Sequence, residues 1–480
     1  MLYGCVTATS YGMKDLLKIK KIILLAGDAL FLFASLPLTL FIAFGSELSF
    51  ELFLEHLLPF SFLYLFVLVL FYINGLYDIR KFKSATSLFA SIFMLHGVAI
   101  ILGIVFFYLA TDLLSISPKT NLILNMLTAA FMIWVWRAMF QRFLAGHLRI
   151  NVAIAGVNEH AQELAHIINK RPHMGYNLAA FISTEPPFSA QGGSALGGKN
   201  TEIDSTTKRF FADKNLAYNL KKHKIDTVIM AENPHLNPEI AQAFYECVPH
   251  KIQFLDLAQS YEMLTGRIPI SYINQTWFLE NINEQQKKLY DDTKRATDIL
   301  AASILFLFSL PLWPFIALAI KWESAGPIFY SQERVGVNKK LFNLIKFRSM
   351  LKNAEQGMPV WAKRKDPRVT KVGALLRRTH LDEIPQMINI IKGDISLVGP
   401  RPERIEFVRE LEKQIPHYNI RHIIKPGFTG WAQVNFRYAR TPMDTYKKFQ
   451  YDLYYLKNRS IILDISILLK TINLFFKKDH

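Results

Sequence analysis

Cysteine is nearly absent: the 480 residues contain two, Cys5 and Cys247, far apart in the chain. Two such residues exclude a disulfide framework and any cysteine-built metal site. Nucleic-acid signatures are missing too. With no helix-turn-helix, zinc finger or aromatic ribonucleoprotein motif, the net charge of +17 points to an anionic membrane surface or phosphorylated substrates, not to nucleic acid. Internal repeats are absent. The first apolar stretch has no small-residue cleavage site and further apolar stretches follow it, so it reads as an anchor rather than a signal peptide. A glycine-rich phosphate fingerprint is also lacking. After Gly156 come Val157, Asn158, Glu159, His160 and Ala161, with no second or third glycine. Without those glycines a pyrophosphate cannot approach the backbone closely.

What the chain has in excess is apolar surface: it is 51% hydrophobic, and 37 residues are Phe. Four runs are long enough for a helix across a bilayer, which takes about 20 residues. They are Ile22–Phe44, Leu58–Tyr77, Leu88–Leu109 and Leu122–Phe140. Lys14, Lys18, Lys20 and Lys21 precede the first run. The loop Gly45–Leu57 has no Lys or Arg and carries Glu47, Glu51 and Glu55. The next loop carries Arg80, Lys81 and Lys83, and the third only Lys119. Arg137, Arg142 and Arg149 follow or close the fourth run. Basic, bare, basic, bare, basic is the pattern of four transmembrane helices with both ends cytoplasmic. A buried helical core of a soluble protein would not alternate its flanking charge in this way.

At this length roughly three domains fit. After residues 1–147, with their four transmembrane helices, the region 148–275 alternates strands and helices. Asn151–Ala155 reads as a buried strand and Glu159–Lys170 as a helix. Leu178–Ser183, Thr227–Ala231 and Ile252–Leu257 read as further strands. This is a Rossmann-like α/β pattern with a degenerate nucleotide motif, and it favours a structural or regulatory role over a working nicotinamide site. Glu185–Asn200, rich in Pro, Gly and Ser, reads as a surface loop.

A fifth apolar run, Asp298–Ile320, is also long enough to span. Both of its ends are basic, with Lys294 and Arg295 before it and Lys321 after it, and Pro311 and Pro314 interrupt it. Each proline removes a backbone donor and clashes with the preceding turn. The expectation is a re-entrant helix, about 298–320, that enters one leaflet and returns; a kinked spanning helix is the alternative.

Residues 290–480 carry the charged constellation. Leu381-Asp382-Glu383-Ile384-Pro385-Gln386 places two carboxylates before a proline, with Arg377 and Arg378 just upstream. An anionic nucleophile beside cations suits chemistry at phosphorus, where negative charge must be gathered and neutralised. Pro385 suits a first helical turn and Gly393 a helix end, so a helix N-terminus is expected to keep Asp382 ionised. Glu383 is a candidate ligand for Mg2+, which takes hard oxygen donors and substrate phosphates. If Leu341–Met350 is a strand, Lys346 and Arg348 share one face and can grip a diphosphate. Ile395–Val398 reads as a short strand leading into Gly399-Pro400-Arg401-Pro402, whose prolines hold Arg401 rigidly for phosphate or base recognition. Lys425-Pro426-Gly427-Phe428-Thr429-Gly430-Trp431 is another rigid turn with a cation, functional or simply structural. Asp452, Tyr455 and Asp464 are polar positions in an apolar C-terminal stretch. Phe475 and Phe476 beside Lys477 and Lys478 suit the bilayer surface.

In their order these motifs resemble the bacterial sugar transferase family, the monotopic polyprenyl-phosphate sugar-1-phosphate transferases. The likeness covers about residues 290–475. It rests on Lys294-Arg295…Asp298, Gly326-Pro327…Gln332…Arg334 and Lys346-Phe347-Arg348-Ser349-Met350, and on Leu381 to Gln386, Val398 to Pro402, and Lys425-Pro426-Gly427…Trp431-Ala432-Gln433-Val434. The N-terminal helices and Rossmann-like region resemble the large members that start exopolysaccharide or capsule repeat units. Glu403-Arg404 and Arg421-His422 look like the exopolysaccharide branch.

The resemblance implies transfer of a sugar-1-phosphate from a UDP-sugar, UDP-glucose or UDP-galactose first, to undecaprenyl phosphate, with release of UMP. It implies Asp382 as the nucleophile, an aspartyl-phosphosugar intermediate, and Glu383 holding Mg2+. Arg401 is expected on the nucleotide and Lys346 and Arg348 on the phosphates, with Arg334, Arg377, Arg378 and Lys425 as further substrate-binding cations. It also implies the bacterial inner membrane, a catalytic domain on the cytoplasmic face, and downstream glycosyltransferases and export machinery as partners. The middle region is a candidate homodimer contact. A membrane-bound nucleotide-sugar dehydratase is a rival, since Tyr290 and Lys294 match a Tyr-x-x-x-Lys spacing, but no glycine-rich strand-turn-helix precedes them. Other rivals are a non-enzymatic scaffold of a polysaccharide assembly complex and an anionic-lipid sensor.

Overall fold

Hydrophobicity on every side, not on one stripe, builds the first elements. In the computed structural model these are α1 (Met13–Phe44), α2 (Phe50–Ile73), α3 (Ala85–Leu109) and α4 (Lys119–Met139). The structure describes residues 13–81, 84–109, 119–144, 149–156, 158–183, 208–231, 238–351, 367–436 and 441–476. Lys83, Val157, the expected loop Glu185–Asn200, Lys477 and Lys478 lie outside them, as do the side chains of Phe475 and Phe476. The chain divides into two compact units, Met1–Thr265 and Gly266–His480.

All four apolar runs are helical, but two helices begin earlier than hydropathy suggests. The first extends back through Lys18, Lys20 and Lys21, residues with good helix propensity. The second starts after Ser49, whose hydroxyl accepts the Leu52 N–H at 3.1 Å as an N-cap. Glu51 and Glu55 therefore sit on α2, not in a loop. The helices share one core, with Leu36, Phe60, Tyr64, Ile92, Met126 and Ile133 fully buried. Their outward faces expose Leu65, Phe62, Ile101 and Phe131. Several polar groups inside are paired. Asn125 donates to Ser35 and Thr39 and accepts from Tyr64. Arg137 donates to Asp28 at 2.5 and 3.1 Å and to the Leu76 carbonyl. Five helical segments of the described residues are long and apolar enough to cross a membrane, the fifth being Lys288–Glu323.

The rest of the first unit alternates strand and helix. β1 (Ile150–Ala155), α5 (Glu159–Lys170), β2 (Tyr176–Ser183), β3 (Lys208–Phe211), α6 (Leu216–Lys222), β4 (Thr227–Met230), α7 (Pro238–Cys247), β5 (Gln253–Asp256) and α8 (Leu257–Thr265) follow in order. The five strands are parallel in the order β3-β2-β1-β4-β5, as a Rossmann-like sheet requires. Strand order reverses at β1. There Gly156 turns the chain at φ 89°. Asn158 then caps α5 through the Ala161 N–H and donates across to the Ala231 carbonyl at 2.8 Å.

The second unit opens with α9 (Gln275–Asn281). The fifth apolar run forms α10 (Lys288–Ser309) and α11 (Trp313–Glu323), parted by a 3-10 turn at Leu310–Leu312. Pro311 lies in that turn and Pro314 in the first turn of α11, where their missing N–H groups cost least. An antiparallel hairpin follows, β6 (Phe329–Val335) with β7 (Leu341–Phe347). Next come α12 (Lys371–Thr379), α13 (Gln386–Lys392), β8 (Ser396–Val398), α14 (Ile405–Gln414) and β9 (Gly427–Thr429), the last parallel to β8. α15 (Trp431–Asn435), α16 (Pro442–Asn458) and α17 (Ile461–Phe476) close the unit. One core joins Ala302 of α10, Met387 and Ile390 of α13, Leu397, Trp431 and Ile467. A second joins Ile316 and Ile320 of α11 to Phe347 and Leu376.

Candidate active site

The site is built where α12 ends. Thr370 caps this helix, and Glu323 at the end of α11 accepts the Lys371 and Val372 N–H groups at 2.5 and 2.7 Å. Gly373 lies so close to β7's exit that a Cβ there would stand 2.0 Å from the Ser349 carbonyl oxygen. Glycine is therefore required for α12 to seat. His380 then adopts φ 56°, a left-handed cap that turns the chain into the 3-10 turn Leu381–Glu383. Asp382 and Glu383 are both buried on that turn, at 7% and 9% exposure.

Two cations meet on one oxygen. Lys346 from β7 donates to Glu383 Oε1 at 2.6 Å, and Arg401 donates to the same atom at 2.8 Å. Burial alone would raise the Glu383 pKa, but Lys346 and Arg401 outweigh it and hold the carboxyl well below the usual carboxylate range. For Asp382 the balance runs the other way. Burial raises its pKa, Lys346 lowers it, Glu383 raises it again, and Arg377 and His380 lower it, with a net rise. The expected helix N-terminus does not act on Asp382. α13 begins at Gln386, four residues later, and is seven residues long. Gly393 does close it, at φ 97°.

The Arg401 loop is shaped by glycine. β8 and β9 bring Gly399 and Gly427 together so tightly that a Cβ on Gly427 would lie 2.0 Å from the Gly399 nitrogen. One on Gly430 would lie 2.2 Å from the Gly399 oxygen. The Lys425–Trp431 segment is thus a packing turn against the loop that carries Arg401. Arg334 from β6 donates to the Pro402 carbonyl at 3.1 Å and to Gln332, so it supports the loop from behind.

Not every expected cation joins this group. β7 ends at Phe347, and the Arg348 N–H still donates to the Ile328 carbonyl at 2.9 Å. The Arg348 guanidinium donates to the Ser324 and Ala325 carbonyls at 2.6 and 3.1 Å. Lys346 and Arg348 thus make different contacts, Lys346 with Glu383 and Arg348 with the α11 exit. Arg377 donates to Ser349 at 2.9 Å and stands within electrostatic range of Asp382, while Arg378 is exposed. Lys425 stands with Arg295, Asp298 and Asp394. Tyr290 and Lys294 both donate to Asp464 at 2.8 Å, so their Tyr-x-x-x-Lys spacing serves a buried polar cluster that Tyr455 completes. Arg421 is legible in the sequence only as a motif residue, yet it contacts the Arg401 main chain directly; a charge in an apolar stretch is its one signal there. Among the described residues no group of three or more His, Cys, Asp and Glu side chains gathers as a metal site.

Residues 289–478 match the family described as bacterial sugar transferase, and residues 72–255 match one described as a CoA-binding domain. The UDP-glucose:undecaprenyl-phosphate glucose-1-phosphate transferase of Xanthomonas campestris pv. campestris is 31% identical over 357 residues, 70% of this chain and 69% of that protein. The UDP-N-acetylgalactosamine-undecaprenyl-phosphate N-acetylgalactosaminephosphotransferase of Aeromonas hydrophila is 42% identical over 226 residues. There the match covers 47% of this chain and about half, 53%, of the relative. The UDP-glucose:undecaprenyl-phosphate glucose-1-phosphate transferase of Escherichia coli is 42% identical over 183 residues, 37% of this chain and 39% of that protein. With Asp382, Glu383, Lys346 and Arg401 all inside the matched segment, the chain belongs to the bacterial sugar transferase family.

Proposed function

We propose that this chain transfers a sugar-1-phosphate from a UDP-sugar to undecaprenyl phosphate and releases UMP. One observation carries the reading: a buried Asp382 adjoins Glu383, with Lys346, Arg401 and Arg377 around the pair, inside the sugar transferase segment. Asp382 attacks the β-phosphorus of the UDP-sugar. The bond from that phosphorus to the bridging oxygen breaks, and UMP leaves with the electron pair. The sugar-phosphate is then an acyl phosphate on Asp382. An oxygen of the polyprenyl phosphate attacks the same phosphorus, the acyl bond breaks, and Asp382 returns as a carboxylate. Lys346 and Arg401 supply positive charge where negative charge gathers, beside two buried carboxylates. Arg401 contacts the nucleotide diphosphate, and Arg377 favours the ionised nucleophile.

Glu383 fits Mg2+ only in company. Its Oε1 already takes two cationic donors, but Mg2+ accepts one or two carboxylates when water and substrate phosphates complete its shell. Glu383 would hold the ion, which would neutralise phosphate charge as UMP departs.

The helices α1 to α4 cross the inner membrane with both ends cytoplasmic, in line with their flanking charge. The α10–α11 segment dips into one leaflet and returns. Its support is that both ends are tied to the same unit. At the start Lys294 pairs with Asp464, Arg295 donates to the Ile390 and Ile391 carbonyls, and Asp298 accepts the Leu397 N–H. At the end Glu323 caps α12 and Arg348 binds Ser324. A helix spanning about 30 Å of hydrocarbon would put those ends on opposite sides. Exposed Leu307, Phe308, Phe315 and Leu318 flank the break. The catalytic unit then faces the cytoplasm, where UDP-sugars are made, and the lipid-linked sugar starts an exopolysaccharide or capsule repeat unit for downstream glycosyltransferases.

The test is UMP release by membranes carrying the wild type or Asp382→Asn, with polyprenyl phosphate, Mg2+ and a panel of UDP-sugars. UDP-glucose and UDP-galactose come first, and UDP-N-acetylgalactosamine is included because a relative's name carries it. Turnover with one sugar, lost in the variant, is the expected result. Release that persists in Asp382→Asn removes the covalent mechanism, and silence of the wild type across the panel removes the transferase reading.

A further inference from the structure

Arg401 reaches Glu383 with its side chain, but its main chain is held by another arginine. Arg421 is 4% exposed and Asp452, its partner at 3.0 Å, 3%. The same guanidinium donates to the Tyr418 hydroxyl at 2.5 Å and to the Arg401 carbonyl at 3.0 Å. Neighbouring carbonyls and side chains are fixed as well. Arg334 donates to the Pro402 carbonyl, the Val335 N–H to the Glu403 carbonyl, and Lys448 to the Glu403 carboxylate. The loop is therefore pinned at three consecutive residues, and from it the Arg401 side chain reaches Glu383.

A buried ion pair is weak support for a fold, because apolar residues of similar volume often replace it without loss. This pair also leaves the Arg421 Nε buried with no hydrogen-bond partner among the described residues, a cost that an apolar core would avoid. Its guanidinium does what no apolar group does: Nη2 grips Asp452 and the Arg401 carbonyl together while Nη1 holds the Tyr418 hydroxyl. We infer that Arg421 is a positioning residue for the transfer, setting the Arg401 main chain so that its guanidinium meets Glu383 and the diphosphate. The inference rests on the transferase reading above. Misplacing a reacting or charge-stabilising group by about 1 Å costs on the order of a hundredfold in rate.

The experiment is a double-mutant cycle on UMP release with Arg421→Lys and Arg401→Lys in the full chain in membranes. Lysine keeps the charge against Asp452 and loses the fork. Arg421→Lys is expected to lower kcat/KM by about ten- to a hundredfold in the wild-type background and less than about twofold when Arg401 is already lysine, because coupled residues are not additive. Arg459→Lys serves as the comparison. Arg459 is equally buried and paired with Glu284 and Asp291, without a contact to Arg401 or Glu383. Its effect is expected to be the same in both Arg401 backgrounds. Equal losses from Arg421→Lys in both backgrounds overturn the inference while leaving the transferase reading intact. If Arg421→Lys does not accumulate, Tyr418→Phe removes one of the three contacts and runs through the same cycle, where additivity again overturns the inference. A silent wild type fails the transferase reading instead.

Discussion

Two glycine-turned loops, one in each unit, follow a strand and precede a helix, and among the described residues only the second sends a cation onto a buried carboxylate. At the end of β1, Gly156 takes a positive φ and Asn158 crosses the strand-order switch to the Ala231 carbonyl. The side chain that a nucleotide-binding turn would leave out is spent on joining two strand ends. At the end of β8, Gly399 meets Gly427 and Gly430 backbone to backbone, and the saved space lets Arg401 project onto Glu383. Among the described residues, the larger, more regular sheet shows at its switch point no buried carboxylate held by two cations such as Glu383 has. Regularity of fold and location of chemistry are separate matters, and the second is read from which charges converge.

Asp382→Asn should widen the difference furthest. Asparagine is nearly isosteric and cannot form the acyl phosphate, so UMP release should fall by about a thousandfold or more, in the range seen when a nucleophile is removed. The check is single-sugar turnover against a melting curve that stays close to the wild type. Next in size is Gly427→Ala. A Cβ there would sit 2.0 Å from the Gly399 nitrogen, so the backbone must move and the Arg401 loop with it. A loss of about 1 to 3 kcal/mol in stability is expected from such overpacking, along with a fall in turnover greater than thermal loss explains. Undiminished turnover in a folded Gly427→Ala protein would show that the loop's placement does not matter.

A smaller effect should be read in the pH profile. Burial raises the Asp382 pKa, and Lys346 and Arg377 pull against it. The nucleophile must be ionised, so turnover should fall as pH drops through that raised pKa. Arg377→Met removes one of the lowering charges, which should carry the acid limb of kcat/KM to higher pH. An acid limb that stays in place separates Arg377 from Asp382.

Much of this difference between the units is legible in the amino-acid sequence alone. Four apolar runs form four helices, and Glu159–Lys170 is a helix over the residues expected. Arg401, expected as a rigidly held cation, donates to Glu383. What escapes a reading of the sequence is short, locally irregular, or set by contacts between residues distant along the chain. The strand β3 is four residues, Lys208–Phe211, too short and too basic for an apolar pattern to mark. Arg348 is claimed by two carbonyls of the α11 exit, a contact that strand alternation does not mark. Asp382 has no helix N-terminus beneath it because the intervening residues form a 3-10 turn. Arg421 acts on Arg401 across twenty residues, a link that no local period encodes.

Asn158→Ala is the mildest change and the most exacting test of the comparison. Its side chain makes two hydrogen bonds, one capping α5 at Ala161 and one reaching Ala231. Losing an asparagine N-cap costs about 1 kcal/mol, and the strand-to-strand bond adds a similar amount. A lowered melting temperature with unchanged UMP release is therefore expected, since no charged group of the site is involved. Opening the switch point also tests whether asparagine is what closes it. One glycine does not make a cradle for a pyrophosphate, so coenzyme A or a dinucleotide should stabilise neither the wild type nor Asn158→Ala in a thermal shift series. Stabilisation of the wild type by either ligand would assign the first unit a binding role and end the contrast between the two loops. Stabilisation of Asn158→Ala alone would sharpen it, making a single side chain the difference between a sealed crevice and an open one.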